Sequence, residues 1–232
     1  MFDLVTALWV LAAIAGLFLL TRLVMACQVV NLTDWGHAVL NLLDGFNRLF
    51  CQRYHRMSPT DIGLPEQGPA IVVANHVSGL DPMLLIAAAR RPLRFMIAKE
   101  QYERFGLQWL FRVIGCIPVD REGRPDQALR AAVLALQQGE VVALFPHGKI
   151  HLDTDRPRRL KGGAARLAKR ANCDVYPVRL DGIAGQGHVV RAVFKRSQAR
   201  VQVCRVLRSG GFDEQELTEQ MRLAIEDQSA AK

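Results

Sequence analysis

In the stretch ANHVSGLDP, residues 74–82, His76 and Asp81 stand five positions apart. A neutral imidazole near pH 7 accepts a proton from a hydroxyl. A carboxylate bonded to its other ring nitrogen fixes the tautomer and stabilises the imidazolium that forms. His76 and Asp81 are candidates for these two roles, and Gly79 would let the loop fold back so that they meet. A plainer reading is open too. Pro82 suits the first position of a helix and Asp81 its N-cap, so that His76 would merely end a strand. Ser78 lies close by, but no G-x-S-x-G surrounds it, so it does not read as a nucleophile.

Three further stretches carry chemistry or shape it. In GCIPVDRE, 115–122, Arg121 follows an apolar run and has the fork that grips a phosphate or carboxylate. In FPHGKIH, 145–151, the Pro-x-Gly turn at Gly148 presents backbone amides, Lys149 adds charge, and His147 adds a hydrogen-bonding ring. In VYPVRL, 175–180, Pro177 reads as belonging to an edge strand or a strand entrance. His147, His151, Asp153 and Asp155 also invite a metal reading. Pro146 and Gly148 oppose the helix that would align the two histidines, so no metal is expected.

Such loops need a scaffold. Short apolar runs at 69–75, 93–98, 116–120, 140–145, 174–180, 188–194 and 200–206 read as strands. Helical patterns occupy 82–90, 100–112, 125–138, 160–171 and 213–227, with Asp213 as N-cap of the last and Phe212 as its staple. The alternation predicts an α/β fold with a mixed, mostly parallel sheet covered by helices. The last two strands are close enough for a hairpin. Chemistry in open α/β sheets gathers beyond the carboxyl ends of strands, where these loops would lie. No G-x-G-x-x-G or G-K-[ST] loop follows a strand, which removes a nucleotide-binding fold.

The turn-rich segment 57–68 divides the chain into N-terminal membrane-anchoring helices, 1–56, and a catalytic domain, 57–232. Residues 4–21 carry no charge. At about 1.5 Å each they just reach across a ~30 Å hydrocarbon core. Spanning the membrane, lying in its interface and packing into a core remain open. The chain opens Met-Phe-Asp with no positive charge before the apolar run, unlike a signal peptide. Arg22, Arg48, Arg53 and Arg56 follow it, which predicts the cytoplasmic face of the cell (inner) membrane for the rest. Residues 35–50 form an amphipathic helix whose apolar face takes in Trp35, Val39, Leu42, Leu43, Phe46, Leu49 and Phe50.

The four stretches, in this order and spacing, resemble the glycerolipid acyltransferase family, which includes the bacterial 1-acyl-sn-glycerol-3-phosphate acyltransferases. NHVSGLDP matches its N-H-x-S-x-x-D-P, GCIPVDR its G-x-I-P-[IV]-D-R, and VYPVRL its V-x-P-V strand. The third block departs: F-P-E-G-T-R-S in the family stands here as Phe145–His151, with His147 for Glu and Ile150 for Arg. The resemblance, over about 66–182, implies a glycerol-3-phosphate acyltransferase-like fold and transfer of a fatty acyl group to a lysolipid hydroxyl. His76 would be the base and Asp81 its orienter. Arg121, Gly148, Lys149 and His147 would meet the acceptor, with Lys149 or one of Arg156, Arg158, Arg159 and Lys161 replacing the absent arginine. The donor is acyl-CoA or acyl carrier protein, and no cofactor is implied.

The bulk numbers agree. A chain of 232 residues, half of them hydrophobic and 22% charged, can bury one sizeable core. A net charge of +8 favours an anionic partner, here membrane lipid and substrate phosphates. No zinc-finger spacing or aromatic RNA motif accompanies the basic run 156–170, so nucleic acid is not expected as a partner. The five cysteines are isolated and odd in number, which reads as buried thiols in a reducing compartment. A thioesterase using the same dyad on water and a catalytically silent lipid-binding protein are the competing readings.

Overall fold

The computed structural model describes residues 3–121, 123, 125–152, 154–155 and 159–226. Asp153, Arg156 and Arg158 lie outside them. Six strands form one sheet in the order β3-β2-β4-β1-β5-β6: β1 (Ala70–Ala74), β2 (Leu93–Ala98), β3 (Ile117–Val119), β4 (Val141–Leu144), β5 (Val175–Asp181) and β6 (Arg200–Val203). All pairings are parallel except β5–β6. The central strand β1 is AIVVA, and every residue of it is buried. That is why it reads as an unbroken apolar run: helices cover both of its faces. Val72 and Ala74 join the core on one side, Ile71 and Val73 that on the other.

On the first side lie α3 (Asp81–Ala88) and the N-terminal helices α1 (Leu4–Val30) and α2 (Ala38–Leu49). On the second lie α6 (Pro125–Gln137), α7 (Gly163–Ala171) and α9 (Glu214–Glu226). Asp213 starts α9 as a capping box: its carboxylate accepts from the amides of Gln215 and Glu216, and Glu216 accepts from the Asp213 amide. The helix expected over 100–112 is two short ones, α4 (Lys99–Tyr102) and α5 (Gln108–Val113). Gly106 between them sits at φ +82°, a left-handed turn that no helix continues through.

Residues 188–194 do not form the expected strand. They form helix α8 (Val189–Phe194), and β5 pairs with β6 instead. The edge of β5 is thus occupied, and a six-residue segment in which Val189, Val190 and Val193 are β-branched fits a short helix as readily as a strand once tertiary contacts decide. Nor is Pro177 on an edge, since β5 lies between β1 and β6. It is tolerated because the antiparallel ladder begins one residue later, at Val178↔Val203.

The N-terminal pair has an inverted surface. Leu4–Val30 is long and apolar enough to cross a membrane, and within it only Cys27 is buried. Cys27 meets Gly45, where a Cβ would lie 2.0 Å from its carbonyl oxygen. On α2 the apolar Val39, Leu43 and Phe46 face out, while Asp44 and Arg48 face in. Arg48 Nε donates to Asp44 Oδ2 at 2.6 Å, and its Nη1 and Nη2 donate to the carbonyls of Ala87 and Ala89 and to Thr33 Oγ1. It therefore caps the C-terminus of α3, and it is not the solvated positive charge that the sequence pattern indicates. The boundary at residue 56 is also not clean, because Cys51 belongs to the same core as Met57 and Val72.

Candidate active site

His76 and Asp81 meet. Nδ1 of His76 lies 2.7 Å from Asp81 Oδ2. The same oxygen accepts from the amides of Val77 (2.7 Å) and Ser78 (2.9 Å), and Oδ1 accepts from Ser78 Oγ at 2.7 Å. Asp81 is fully buried, while the His76 ring keeps 20% of its surface exposed. An acceptor-only carboxylate fixes the tautomer with hydrogen on Nδ1. Nε2 then has its lone pair open and no partner among the described residues. Asp81 does not cap α3 through its side chain: Leu80 takes the N-cap position and Asp81 the first turn. Its carboxylate organises the loop before it.

Neighbouring side chains hold that loop still. Asn75 extends β1 sideways, donating to the Leu180 carbonyl at 2.8 Å and accepting its amide at 2.7 Å. Gly79 is needed for space rather than for an unusual φ, since a Cβ there would lie 2.1 Å from the Val189 carbonyl oxygen. Replacing Asp81 by Asn should slow turnover by about 10²–10⁴, because a neutral amide does not stabilise an imidazolium. It should also lower the melting temperature, since charged hydrogen bonds to two buried amides weaken. Steady-state kinetics and a thermal melt on one preparation read both effects; a lower melting temperature with unchanged turnover would leave Asp81 a loop organiser only.

Sheet order brings the third block to the dyad. β1 and β4 are neighbours with Val73 opposite Leu144, so Phe145 emerges beside Ala74. Its ring stacks on His76 with centroids 4.2 Å apart and planes at 15°. The His151 amide donates to the His76 carbonyl at 2.7 Å. Gly148 turns at φ +75°, and its carbonyl accepts from Arg121 Nη2, so the second and third blocks join as well.

Beside Phe145 lies a cavity of about 300 Å3 with an apolar floor that includes Met96, Val119 and Leu144, and with Arg121, Lys161 and Arg166 among its other lining residues. Lys161 reaches Gly148 as Arg121 does: a Cβ on that glycine would sit 3.0 Å from its Nζ. Lys149 is exposed and does not line this cavity. His147 is turned away as well. It is buried, and Nε2 lies 2.8 Å from Glu226 Oε1 on α9. The last helix thus holds the ring, which does not line the cavity beside Phe145. His151 stacks on His147 with centroids 4.7 Å apart and lies 3.6 Å from Asp155, and no group of three His, Cys, Asp or Glu able to hold a metal occurs among the described residues. Phe145 and Asn75 join the dyad although nothing in the sequence singles them out: both stand inside the quoted blocks, but an apolar ring and an amide carry no chemical signal there. Of the cysteines, Cys27, Cys51, Cys116 and Cys173 are buried, and burial pushes the thiols of the last three up to about 12, which leaves them unreactive.

Comparison with known proteins identifies the family of the chain. The profile of the acyltransferase family matches residues 59–181. A probable 1-acyl-sn-glycerol-3-phosphate acyltransferase of Mycoplasma genitalium is 34% identical over 125 residues, which are 51% of this chain and 46% of that protein. The 1-acyl-sn-glycerol-3-phosphate acyltransferase of Streptococcus pneumoniae is 31% identical over 114 residues, 48% of this chain and 41% of its own length. An N-acylphosphatidylethanolamine synthase of Arabidopsis thaliana is 32% identical over 117 residues, 46% of this chain and 41% of the relative. The chain thus spans about half the length of the curated relatives it matches. In fold it is similar to the 1-acyl-sn-glycerophosphate (LPA) acyltransferase PlsC of Thermotoga maritima, with a TM-score of 0.66 at 20% identity over 92% of this chain and 86% of the other. The family profile covers more than half of the chain and takes in the dyad, the strand ends and the cavity, and on that ground the chain belongs to the acyltransferase family.

Proposed function

We propose that this chain is a membrane-associated O-acyltransferase that moves a fatty acyl group from acyl-CoA or acyl carrier protein to the hydroxyl of a lysolipid, 1-acyl-sn-glycerol-3-phosphate in the first place. One observation carries the reading: His76 is bonded through Nδ1 to a buried aspartate while Nε2 is left open at the carboxyl end of the sheet. Nε2 takes the proton of the acceptor hydroxyl as its oxygen attacks the thioester carbonyl. The carbon–sulfur bond then breaks, and Nε2 gives the proton to the departing sulfur, which leaves as the thiol and restores the neutral imidazole. No cofactor is needed, because the thioester is already activated. The amides of Val77, Ser78 and Gly79 are committed to Asp81 and His188, so the oxyanion must find its donors in the third block, where those of Lys149 and Ile150 have no acceptor among the described residues.

The acceptor's phosphate belongs in the cavity beside Phe145, where Arg121 and Lys161 converge. Lys161→Ala should raise the acceptor KM by about tenfold to a hundredfold, the loss of one charge-assisted contact of 1.5–3 kcal/mol. The donor KM should not move, and Lys149→Ala should change neither. An effect of Lys149 larger than that of Lys161 would return the stand-in role to the residue the sequence favours. The direct test of the function is thiol release from acyl-CoA with and without lysophosphatidic acid. Acceptor-dependent release supports transfer; equal release without acceptor identifies a thioesterase. Activity confined to a lysolipid without a phosphate monoester would fit the departures at His147 and Ile150 instead.

The bare apolar surface of α1 and the outward apolar face of α2 support the membrane part of this reading. Removing residues 1–30 should move much of the protein into the soluble fraction. A cut at residue 56 would instead take Arg48 and Cys51 out of the core. Arg22, Arg53 and Arg56 remain exposed after the apolar run and favour the cytoplasmic side. Digestion of the domain by protease added to right-side-out cells would overturn that placement.

A further inference from the structure

A second cationic cavity lies away from the dyad. About 520 Å3 in volume, it is open to solvent and lined by Arg56, Arg196 and Arg200, with the Gly182–Ala184 turn as its wall. The pocket is built rather than incidental. Gln198 donates its amide to the Gly182 carbonyl, Ala184 donates to Ser197 Oγ at 3.0 Å, and Ala199 donates to the His55 carbonyl at 2.9 Å. At Gly182, φ is +69° and a Cβ would lie 2.0 Å from the Gln198 carbonyl oxygen, so only glycine lets the two walls meet. Arg56 itself is held in the left-handed region at φ 51°. Arg200 is paired with Asp181 at 2.6 Å, but neither Arg56 nor Arg196 has a carboxylate partner among the described residues. Three guanidinium groups therefore face one carboxylate.

Along one rim runs an apolar strip. On α8, Val190 and Phe194 are 57% and 71% exposed. Tyr54 donates its hydroxyl to the Phe194 carbonyl at 2.5 Å, and the His55 Nε2 lies 3.1 Å from the Val193 carbonyl oxygen. Tyr54 stacks on Phe50 and Phe50 on Phe46, so the strip continues into the outward apolar face of α2. None of the residues lining this cavity lines the one beside Phe145.

We infer that Arg56, Arg196 and Arg200 form a headgroup site for an anionic phospholipid, with α8 lying in the membrane interface beside it. The inference rests on the membrane-associated reading above. Unpaired guanidinium forks match a phosphodiester, and the apolar rim matches the acyl chains that leave it. A soluble phosphate would make no use of exposed Val190 and Phe194.

Native mass spectrometry of the full chain in mild detergent tests this without reference to turnover. Phosphatidylglycerol and phosphatidylcholine of equal chain length are titrated separately. The wild type should retain one phosphatidylglycerol in preference to phosphatidylcholine. Each arginine lost should weaken it about fivefold, so Arg56→Gln with Arg196→Gln should weaken it about twenty-fivefold. Phe194→Ser should weaken both lipids, and the exposed pair Arg170→Gln with Arg208→Gln should change neither. Arg196→Glu, a single change at an exposed position, serves if the double variant fails to fold. Undiminished phosphatidylglycerol binding in the arginine variants would overturn the site. Displacement by millimolar inorganic phosphate, with no effect of Phe194→Ser, would make it a soluble-anion pocket and overturn the lipid assignment. If the acyltransferase reading failed in the thiol-release assay, this lipid selectivity would persist, so the two failures are separable.

Discussion

Replacing His76 by alanine should lower the turnover number by about 10²–10⁴, the usual worth of a positioned general base, with little change in melting temperature. The structure argues for both halves. Nε2 is the open proton acceptor at the carboxyl end of the sheet, and Ser78 does not take over: it is fully buried and donates to Asp81. Yet the ring itself does not hold the loop. Without it, Asp81 still accepts from the amides of Val77 and Ser78 and from Ser78 Oγ. What is lost is one hydrogen bond and a stack on Phe145. Donor and acceptor KM should stay within a few-fold. Near-normal turnover in a purified, folded His76→Ala protein would end the general-base mechanism.

The largest stability effect should come from Arg48→Ala, far from the chemistry. Arg48 and Asp44 are both almost fully buried, at 2% and 1% side-chain exposure. Breaking a buried ion pair by removing one partner costs roughly 3–5 kcal/mol, because the other charge is left uncompensated. Here the Ala87 carbonyl at the end of α3 loses its donor too, and the Ala89 carbonyl keeps only the Thr33 hydroxyl. At 2–4 °C per kcal/mol for a chain of this size, the melting temperature should fall by roughly 6–20 °C. Burial already pushes the Asp44 carboxyl above the ordinary carboxylate range, with Arg48 opposing it. Without Arg48 that rise increases. A carboxyl raised in the folded state contributes a deficit that is full above its folded value and shrinks as pH falls through that value, so acidification should narrow the gap to the wild type. Asp44→Leu with Arg48→Met should be less damaging than Arg48→Ala. A melting curve of Arg48→Ala that superimposes on the wild type would show that α2 does not brace the helix carrying Asp81.

Much of this molecule is legible along the chain. The unbroken apolar run at Ala70–Ala74 marks a strand covered on both faces, and His76, Asp81 and Pro82 mark the strand-to-helix loop that follows it. Both are local. The dyad closes within six residues, so its geometry depends on one turn and the start of one helix. The capping box at Asp213 and Glu216 is local in the same way. The apolar length of α1 can be counted off directly.

What the tertiary structure decided involves partners far apart in sequence. The spacing of the blocks indicates that 74–82 and 145–151 share a site, but only the β1–β4 pairing lays Phe145 on His76. Lys161 and Lys149 are equally charged on paper; the chain path after Gly148 brings one to the cavity and leaves the other in solvent. His147 occupies a site block, yet α9, nearly eighty residues on, turns it into a buried partner of Glu226. The periodicity of α2 shows that it has two faces and not which of them is buried; Arg48 faces inward because the open carbonyls of α3 are there to receive it. A pattern along one segment records the angle between its side chains. The direction in which that set of side chains points is determined by whatever other segment can satisfy its hydrogen bonds and bury its apolar area.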